Sequence, residues 1–551
     1  MNSSATHQVF NQSTPLEGVN LFEIDTPLKE ALSREGGGWA EGRVSELGAI
    51  CGERQVLRKG VEANEFPPKL KTHDRFGNRI DEVEFHPAWH ELMSLGISHG
   101  VHSLPWREPG PGANVARAAL FTQLTQVEAG VGCPISMTFS VVPALRNQPD
   151  VAAEWEPRFL SLEYDGELKP ASEKPGALAG MAMTEKQGGS DVRANTTRAV
   201  ALNGGGPGAA YEITGHKWFC SAPMCDAFLV LAQTDAGVSC FLMPRFTPDG
   251  TRNNFHIQRL KEKLGNKSNA SSEVEFRGAW AQMIGEEGRG VRTIIEMVGH
   301  TRLDCAIGAS AGMRTGIAQA TWYDSQRSAF GRRLIEQPLM TNVLADLSIE
   351  SEAATASMMR LARSYDDAAT GDERAMLLKR IATPVLKYWI CKRAPWHAVE
   401  SLECLGGNGY AEESGMPRLF RESPLTSIWE GSGNVQCLDA LRAMVKSPAS
   451  TEVFFEEIGE AAGSDARLDS FVADLRESMG RDPETMEVRA RRIVEGMALA
   501  LQGSLLVRHG DPAVADAFCA SRLAGDWGGA FGTLPAGIDY PAIIARSTPP
   551  V

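Results

Sequence analysis

The sequence predicts an α+β protein in which a sheet-forming segment separates two helical regions. Up to about residue 175, apolar residues recur at helical spacing, as in ARAALFTQLTQVEAG (116–130). From Leu178 to about Ile284, short β-type runs follow one another between Gly and Asn turns. After GEEGRG (285–290) the helical spacing returns and extends into a further C-terminal region.

These changes in pattern divide the chain into four predicted segments. They are a helical N-terminal domain (1–177), a middle β domain (178–284), a helical bundle (285–445) and an extra helical C-terminal domain (446–551). The clearest strand candidates are AFLVLAQT (227–234), SCFLMPRF (239–246) and SEVEF (272–276). Their β-branched and aromatic residues favour a pleated, half-buried conformation.

The helical bundle is predicted from a spacing of three or four residues between apolar positions. One buried helix face would consist of Leu344, Leu347, Ala354, Met358, Leu361 and Tyr365. The tract DPETMEVRARRIVEGMALALQ (482–502) continues the helical pattern. Here Asp482 is the predicted N-cap and Pro483 the first helical residue.

Composition limits the class of protein. A chain of 551 residues with 43% apolar content is long enough for several globular domains. The N-terminus lacks the pattern of a signal peptide, and no run of about 18 apolar residues occurs, so a cytoplasmic protein with no membrane partner is predicted. Ten cysteines without a CxxC pair predict reduced, buried thiols. A net charge of −14 disfavours polyanions such as nucleic acid, unless a local basic patch overrides it.

The stretch MAMTEKQGGSDVRANTT (181–197) is the first candidate for a binding site. Gly188 and Gly189 permit a tight turn, from which Ser190 can present its hydroxyl and amide to a phosphate or a cofactor edge. A polar turn between strands is the alternative. About thirty residues later, Trp218 in YEITGHKWFCSAP (211–223) is an aromatic side chain suited to packing against a flat ring, next to a predicted turn at Gly215.

A second candidate site is SIWEGSGNVQ (427–436). Glu430 lies between an apolar pair and a Gly-Ser-Gly turn, a setting that suits a general base. Two other groups of residues give weaker evidence of a functional site. His86 and His90 have helical i, i+4 spacing, but Pro87 separates them and no HExxH motif is present, so a packing or interface role is predicted rather than a metal site. Cys220 and Cys225 are predicted to be buried thiols.

Seven motifs occur in order along the chain. They are EFHPAWHELM (84–93), MAMTEKQGGSDV (181–192), GHKWF (215–219), LGNKSNASSEVEF (264–276), RSAFGR (327–332), LGGNGY (405–410) and SIWEGSGN (427–434). Together they resemble the flavin-dependent acyl-CoA dehydrogenases, and within them the AidB-like branch of alkylation-response proteins. The resemblance implies a helical domain, a β-barrel-like middle domain, a helical bundle and an extra C-terminal helical extension. It also implies FAD bound without a GxGxxG motif.

The resemblance assigns residues to FAD and to the substrate. Thr184 would hydrogen-bond the isoalloxazine edge, Trp218 would shield the ring, and Arg327 with Phe330 would reach the FAD of a neighbouring subunit, which implies a homotetramer. The full FAD set is Met181, Met183, Thr184, Gly189, Ser190, Trp218, Phe219, Cys220, Ser221, Arg327, Phe330, Gly406, Gly407, Ile428, Trp429, Gly431, Ser432 and Asn434. Ser190 and Arg302 would contact the substrate, an acyl-CoA or a related small molecule.

Glu430 matches the catalytic base of this family. It would take the α-proton of an acyl thioester while the β-hydride leaves for the flavin. Some relatives place the base at the position of Thr301, which has no carboxylate. The chain departs from the family at Glu403, where most relatives have glutamine near the pyrophosphate, and at Gly299-His300, which replaces an acidic residue and its neighbour that help to hold CoA.

The resemblance is compatible with two functions. One is a stress-response protein that binds double-stranded DNA and retains α,β-dehydrogenation of short or branched acyl-CoA, of the isovaleryl-CoA type. The other is a metabolic dehydrogenase that passes electrons to an electron-transfer flavoprotein. From Lys446 onward the chain has ten Lys and Arg against sixteen Asp and Glu, a net of minus six, so DNA contact would depend on a local cluster. The candidates are Arg442, Lys446, Arg489 and Arg492, of which Arg489 and Arg492 are expected on an exposed flank of the helix predicted over 482–502.

Overall fold

The computed structural model describes residues 6–481 and 483–550. In sequence order, helices come before and after a segment of strands that forms the main sheet, which confirms the predicted α+β class. The chain forms two compact units. The first compact unit is Gln55–Cys305, and the second compact unit combines Met1–Arg54 with Ala306–Val551. The four-segment division made from the sequence stays a prediction.

The α-helices are α1 (Thr26–Arg34), α2 (Glu41–Cys51), α3 (Arg54–Glu65), α4 (Pro87–Ser98), α5 (Leu104–Arg107), α6 (Ala113–Val127), α7 (Gly132–Leu145), α8 (Pro149–Phe159), α9 (Gly290–Gln326), α10 (Pro338–Ala369), α11 (Glu373–Cys404), α12 (Met416–Glu422), α13 (Gly433–Lys446), α14 (Pro448–Gly459), α15 (Ala466–Gly480), α16 (Ala490–His509), α17 (Pro512–Phe518) and α18 (Tyr540–Ser547). The strands are β1 (Lys69–His73), β2 (Arg79–Glu84), β3 (Ala179–Ala182), β4 (Arg198–Ala201), β5 (Ala210–Ser221), β6 (Ala227–Thr234), β7 (Gly237–Pro244), β8 (Phe255–Leu260), β9 (Ser271–Ile284), β10 (Ser328–Ala329) and β11 (Arg332–Arg333).

The seven-stranded sheet of the first compact unit closes on itself. β6 pairs with β7, β7 with β9, β9 with β5, β5 with β4, and β4 returns to β6 through the pair Arg198–Gln233. These pairings form a closed circuit, as in a small barrel. β3 runs parallel to β6 with Met181 opposite Leu229, and it leads directly into the first candidate site.

Strand β5 differs from the prediction of a turn at Gly215. The strand is continuous through this residue, and its register against β9 shifts between Ile213 and Thr214. Gly215 has φ +155°, and a Cβ there would lie 2.4 Å from Thr197 Oγ1. The glycine therefore marks a close approach inside an irregular strand.

The N-terminal part of the first compact unit is mainly helical, as predicted, but it also contains a β-hairpin that the helical pattern did not reveal. β1 and β2 pair antiparallel around Gly77, which has φ +88°. Both strands are rich in charge, and apart from the buried Asp81 their residues are exposed or half-buried. They therefore lack the run of buried apolar residues by which a strand is recognised. Elsewhere in this region His86 caps α4, and His90 Nδ1 lies 2.8 Å from Tyr164 Oη, so both histidines have the predicted packing role.

The second compact unit is built on α10, α11 and the helices of the C-terminal extension. All six residues of the predicted α10 face are buried. Most of the 20 residues of α16 are buried against neighbouring helices that include α10 and α11. The prediction for the start of this helix was wrong, because α16 begins at Ala490 and a short 3-10 helix occupies Pro483–Thr485. The predicted N-cap, Asp482, lies outside the described residues.

All ten cysteines are buried and free, which confirms the prediction of reduced thiols. Over residues 6–481 and 483–550, no helix is both long enough and apolar enough to traverse a lipid bilayer.

Candidate functional site

The first candidate site is the turn that follows β3. Trp218 N donates a 2.8 Å hydrogen bond to Thr184 O, which joins the end of this segment to β5. A Cβ on Gly189 would lie 2.4 Å from Thr184 Oγ1. Glycine is therefore required at 189 because the backbone passes directly over the Thr184 side chain. The structure brings the predicted residues of this turn and of β5 together.

The polar groups of this turn are available to a ligand. Thr184 is half-buried and Ser190 is exposed, and within the described part of the chain neither hydroxyl makes a hydrogen bond. Met181 is buried in β3, whereas Met183 is partly exposed. Two free hydroxyls beside an aromatic side chain can hydrogen-bond and cover the edge of a planar heterocycle.

Trp218 carries three cationic neighbours that the sequence did not reveal. Lys261 Nζ lies 3.7 Å from the centroid of the indole ring, Lys186 Nζ 5.7 Å and the Arg259 guanidinium 6.0 Å. Glu273 pairs with Lys261 and Arg259, at 2.8 Å and 2.7 Å. The surroundings of the ring are therefore net positive and suit an anionic ligand.

A buried ion pair supports the turn from below. Lys217 Nζ lies 2.9 Å from Glu185 Oε1, and both side chains are fully buried. Burial opposes the charged form of Glu185, but the hydrogen bonds from Thr196 and Thr197 and the Lys217 ammonium outweigh it and lower the pKa of this carboxyl. Lys217 also donates to the carbonyl of Leu231, at 2.8 Å. Glu185 is therefore a structural anion that fixes the segment after Thr184.

The rest of β5 divides between surface and core. The Phe219 side chain is 51% exposed, which leaves its ring accessible. The Cys220 side chain is fully buried, and burial raises the pKa of its thiol to about 12. The hydroxyls of Ser221 and Ser271 lie 3.3 Å apart. Of these three predicted cofactor residues, Phe219 presents the largest side-chain surface.

The second candidate site is the turn around Glu430 in the second compact unit. Glu430 has φ +57° and Gly431 has φ +96°, so two consecutive residues lie in the left-handed region. Lys387 Nζ donates to the carbonyls of Trp429 and Gly431, at 2.9 Å and 2.6 Å. Gln436 Nε2 donates to the carbonyls of Glu430 and Gly431, both at 2.9 Å. The turn is thus fixed by its backbone, while Glu430 is partly exposed and Ile428 is 62% exposed.

The residues after this turn begin α13. Ser432 precedes the helix, and its side chain makes no capping hydrogen bond. Asn434 Oδ1 accepts a 2.8 Å hydrogen bond from Arg491 Nε, a residue of α16. The C-terminal extension therefore contacts a predicted nucleotide-binding residue, which the sequence analysis missed because the two residues are 57 positions apart.

The hairpin of β10 and β11 presents the RSAFGR motif. Phe330, at the tip, is 99% exposed and has φ +50°. Arg327 Nη1 donates to the carbonyl of Asn11 at 3.0 Å. A Cβ on Gly406 or Gly407 would meet no atom of the described residues within 4 Å, so packing within this chain does not require glycine there.

Helix α9 carries the predicted substrate arginine. Arg302 is 8% exposed. Its neighbour Thr301 donates from Oγ1 to the carbonyl of Val298 at 3.1 Å, as helical threonines commonly do. The His300 ring packs edge-on against Trp106 and Phe139. The position at which some relatives carry the base is therefore occupied by a buried hydroxyl.

The four candidate DNA residues differ in exposure. Arg442, at 68% side-chain exposure, lies 3.8 Å from Asp439, and Lys446 and Arg492 are also exposed. Arg489 is half-buried and donates to the carbonyls of Ser478 and Arg481, at 2.7 Å and 3.3 Å. The expectation of an exposed flank on α16 thus holds for Arg492 and is corrected for Arg489, whose guanidinium caps the end of α15.

Three family models match the chain in sequence order. The adaptive response protein AidB N-terminal domain matches residues 11–166, the acyl-CoA dehydrogenase middle domain 180–279 and the acyl-CoA dehydrogenase C-terminal domain 288–445.

Three similar proteins extend this finding. The Escherichia coli (strain K12) protein AidB, which is named as an acyl-CoA dehydrogenase, is 46% identical over 94% of both chains. Caenorhabditis elegans ACDH-11, solved in complex with C11-CoA, is 28% identical with a TM-score of 0.86 and covers 95% of this chain and 94% of its own. An acyl-CoA dehydrogenase from Bacillus anthracis, solved with FAD, shares the fold at 16% identity and a TM-score of 0.66, over 93% of this chain and 88% of its own.

The matched domains and the coverage of the relatives agree with the order of the motifs along the chain. The resemblance inferred from the sequence is thereby confirmed, as is FAD as the expected cofactor. The chain belongs to the acyl-CoA dehydrogenase family, in its AidB-like branch, and is an FAD-dependent oxidoreductase that acts on CH–CH bonds.

Proposed function

We propose that the protein dehydrogenates a short or branched acyl-CoA thioester, of the isovaleryl-CoA type, with Glu430 as the catalytic base. The observation that carries this proposal is the turn at Glu430, which holds a partly exposed carboxylate on a backbone fixed by buried donors. A base must stay within hydrogen-bond reach of the proton that it removes, so a fixed backbone suits this role.

The residues after β3 fit the flavin ring of FAD. Thr184 and Ser190 have hydroxyls without partners among the described residues, and Trp218 offers a partly exposed indole. Lys186 and Lys261 add positive charge beside this ring. FAD, when bound, supplies an acceptor for the hydride lost from the β-carbon, which leaves an enoyl thioester.

The chain's own contribution to the reaction is to position groups and to accept a proton. Glu430 removes the proton from the α-carbon, whose C–H electrons become part of the new double bond. The Thr184 hydroxyl would donate a hydrogen bond to the edge of the flavin ring and orient it. Arg302 and Ser190 are the residues that would contact the substrate.

A panel of thioesters tests this function. The FAD-loaded protein is mixed anaerobically with isovaleryl-CoA, butyryl-CoA and C11-CoA, and the loss of flavin absorbance is followed. C11-CoA is included because it is bound by the Caenorhabditis elegans relative. We expect isovaleryl-CoA to bleach the flavin fastest. If no thioester bleaches it while FAD remains bound, dehydrogenation is rejected, and a preference for C11-CoA would reject the short-chain assignment.

We also propose the DNA role of the AidB type, in the cytoplasmic response to alkylation. It is supported by the match to the adaptive response AidB N-terminal domain and by the exposure of Arg442, Lys446 and Arg492. The alternative is a metabolic dehydrogenase without a DNA role, coupled to an electron-transfer flavoprotein. The negative charge of the extension means that only a local cluster can attract phosphates.

The DNA role predicts weak, sequence-independent binding that decreases steeply with salt, by about 0.9 in the log–log slope for each phosphate contact. Fluorescence anisotropy with a DNA duplex at stepped salt measures it. Replacing Arg442 and Arg492 by alanine should weaken binding and reduce the slope. Glu413→Gln, on the exposed surface, is the control that should leave binding unchanged. The absence of binding at low salt would reject the role, and binding that ignores both arginines would reject this cluster.

A homotetramer in which a neighbour completes the FAD site is the third part of the proposal. It is supported by Phe330, whose ring is almost fully exposed at a hairpin tip, and by Gly407, where a Cβ would meet no atom of the described residues. Light scattering should give four chains per particle. Replacing Phe330 by Ser should produce smaller particles and lower the affinity for FAD. A wild-type monomer with full FAD affinity would contradict this prediction.

A further inference from the structure

Three lysines are buried in the described part of the chain, and one of them differs from the other two. Lys174 pairs with Asp226 at 2.8 Å, and Lys217 pairs with Glu185 at 2.9 Å. Lys387, at 1% exposure, has no carboxylate partner among the described residues and donates only to main-chain carbonyls. Burying an ammonium group costs free energy unless hydrogen bonds or a counter-charge compensate for the lost water. The burial of Lys387 therefore needs an explanation.

The carbonyls that Lys387 binds flank the candidate base. They belong to Trp429 and Gly431, the residues immediately before and after Glu430. The third carbonyl of the turn, that of Glu430 itself, accepts from Gln436, which is also fully buried. Three consecutive carbonyls therefore point to two buried donors, one on α11 and one on α13.

This arrangement explains why a glutamate can occupy left-handed backbone. The φ of +57° at Glu430 is unfavourable for a residue with a Cβ, and it persists only where surrounding contacts determine it. If the donors were removed, the turn would be free to relax to right-handed backbone. The carboxylate would then leave its position, although its chemistry would be unchanged.

We infer that Lys387, together with Gln436, is a positioning residue that fixes the backbone of Glu430 for proton removal. The inference rests on the proposed role of Glu430 as base. Lys387 acts through the carbonyls on either side of the base and does not itself receive the proton. The buried charge is retained because it holds three residues in one conformation, which a hydrophobic side chain of the same size cannot do.

The test compares Lys387→Met, which keeps the size of the side chain but removes its charge and donors, with Lys387→Arg, which keeps both. Lys387→Met should lower the rate of flavin reduction at saturating isovaleryl-CoA about tenfold, with FAD content and thioester affinity unchanged. Lys387→Arg should restore a large part of the rate. Lys379→Met is the matched control on the same helix, where the lysine lies 5.0 Å from the Tyr365 ring centroid and should not affect the rate.

Crystal structures of the FAD-free variants provide a readout that does not depend on activity. Glu430 should leave the left-handed region in Lys387→Met and remain there in Lys387→Arg. If Lys387→Met does not fold, Gln436→Met replaces it, because it removes the donor on the opposite side of the turn and should have the same two effects. A folded variant with the wild-type φ at Glu430 and the wild-type rate would overturn the inference.

Failure of the proposed function gives a different result. If Glu430→Gln remains active, Glu430 is not the base, and the positioning role is overturned with it even if the turn relaxes in Lys387→Met. If Glu430→Gln is inactive but Lys387→Met and Gln436→Met are fully active, the base is correct and only the positioning role is wrong. If the variants lose FAD in proportion to their rate, Lys387 has a general structural role and the inference is rejected.

Discussion

Glu430→Gln is expected to lower the rate of flavin reduction by acyl-CoA by about 10³-fold, which is within the range for loss of a general base. Glutamine retains the shape and hydrogen-bonding capacity of the side chain but cannot accept the α-proton. Because the turn is held by main-chain carbonyls, its backbone should remain in place. Anaerobic stopped-flow measurement of flavin absorbance gives the rate, and the protein-bound FAD gives the occupancy.

Glu413→Gln is the matched control for this substitution. Glu413 is an exposed carboxylate in the short 3-10 helix Glu412–Ser414, so the Glu413→Gln protein should reduce its flavin at the wild-type rate. A Glu430→Gln protein that reduces its flavin as fast as the control would remove Glu430 from the mechanism. A protein that has lost FAD would instead place Glu430 in cofactor binding.

Lys217→Met is expected to decrease the free energy of unfolding by about 3–5 kcal/mol, because it leaves the carboxylate of Glu185 buried without its cation. Both side chains are fully buried, and Glu185 anchors the segment that follows Thr184. The FAD content should decrease in parallel, since the turn that carries Thr184 and Ser190 loses its support. Urea unfolding followed by circular dichroism measures the change.

A surface ion pair supplies the control for this experiment. Lys169 lies 2.8 Å from Asp165 on the surface, where solvent screens the pair, so Lys169→Met should leave the free energy of unfolding almost unchanged. The double variant Lys217→Met, Glu185→Gln should be more stable than Lys217→Met alone because no buried charge is left unpaired. Equal costs for the buried and the surface substitutions would show that the pair does not support the fold.

The sheet and the main helices were predictable because their residues repeat at the spacing of a buried surface. β6 spans the predicted run 227–234, and the apolar face of α10 is buried as its spacing required. The hairpin of β1 and β2 was not predictable in this way, since its residues are mostly charged and no buried apolar repeat distinguishes them from a loop. The hairpin is instead held by polar contacts such as the hydrogen bond from Ile257 N to the buried Asp81 carboxylate, at 3.2 Å.

Only the turns of the candidate sites, in which the residues are adjacent in sequence, were predictable. The Gly-Gly turn before Ser190 and the Gly-Ser-Gly turn after Glu430 are visible because glycine marks unusual backbone over a few residues. The groups that support them are distant in sequence. Lys387 lies 44 positions before Gly431, and Arg491 lies 57 positions after Asn434. No local pattern distinguishes such a lysine or arginine from one on the surface, so only the folded chain identifies them.

The packing of the C-terminal extension predicts how the protein would respond to the removal of that extension by limited proteolysis or truncation. Arg522, beyond α17, is buried and pairs with Asp346 and Glu350 of α10. A chain that ended at Lys446 would lose this guanidinium together with α16, and it would expose the apolar surface of α10 and α11 that α16 covers. The buried Asp346 would then lose its cationic partner, whereas Glu350 would keep Arg393, at 3.0 Å. A shortened chain should therefore aggregate rather than yield an ordinary dehydrogenase without the extension, since helix α16 of the extension forms part of the core.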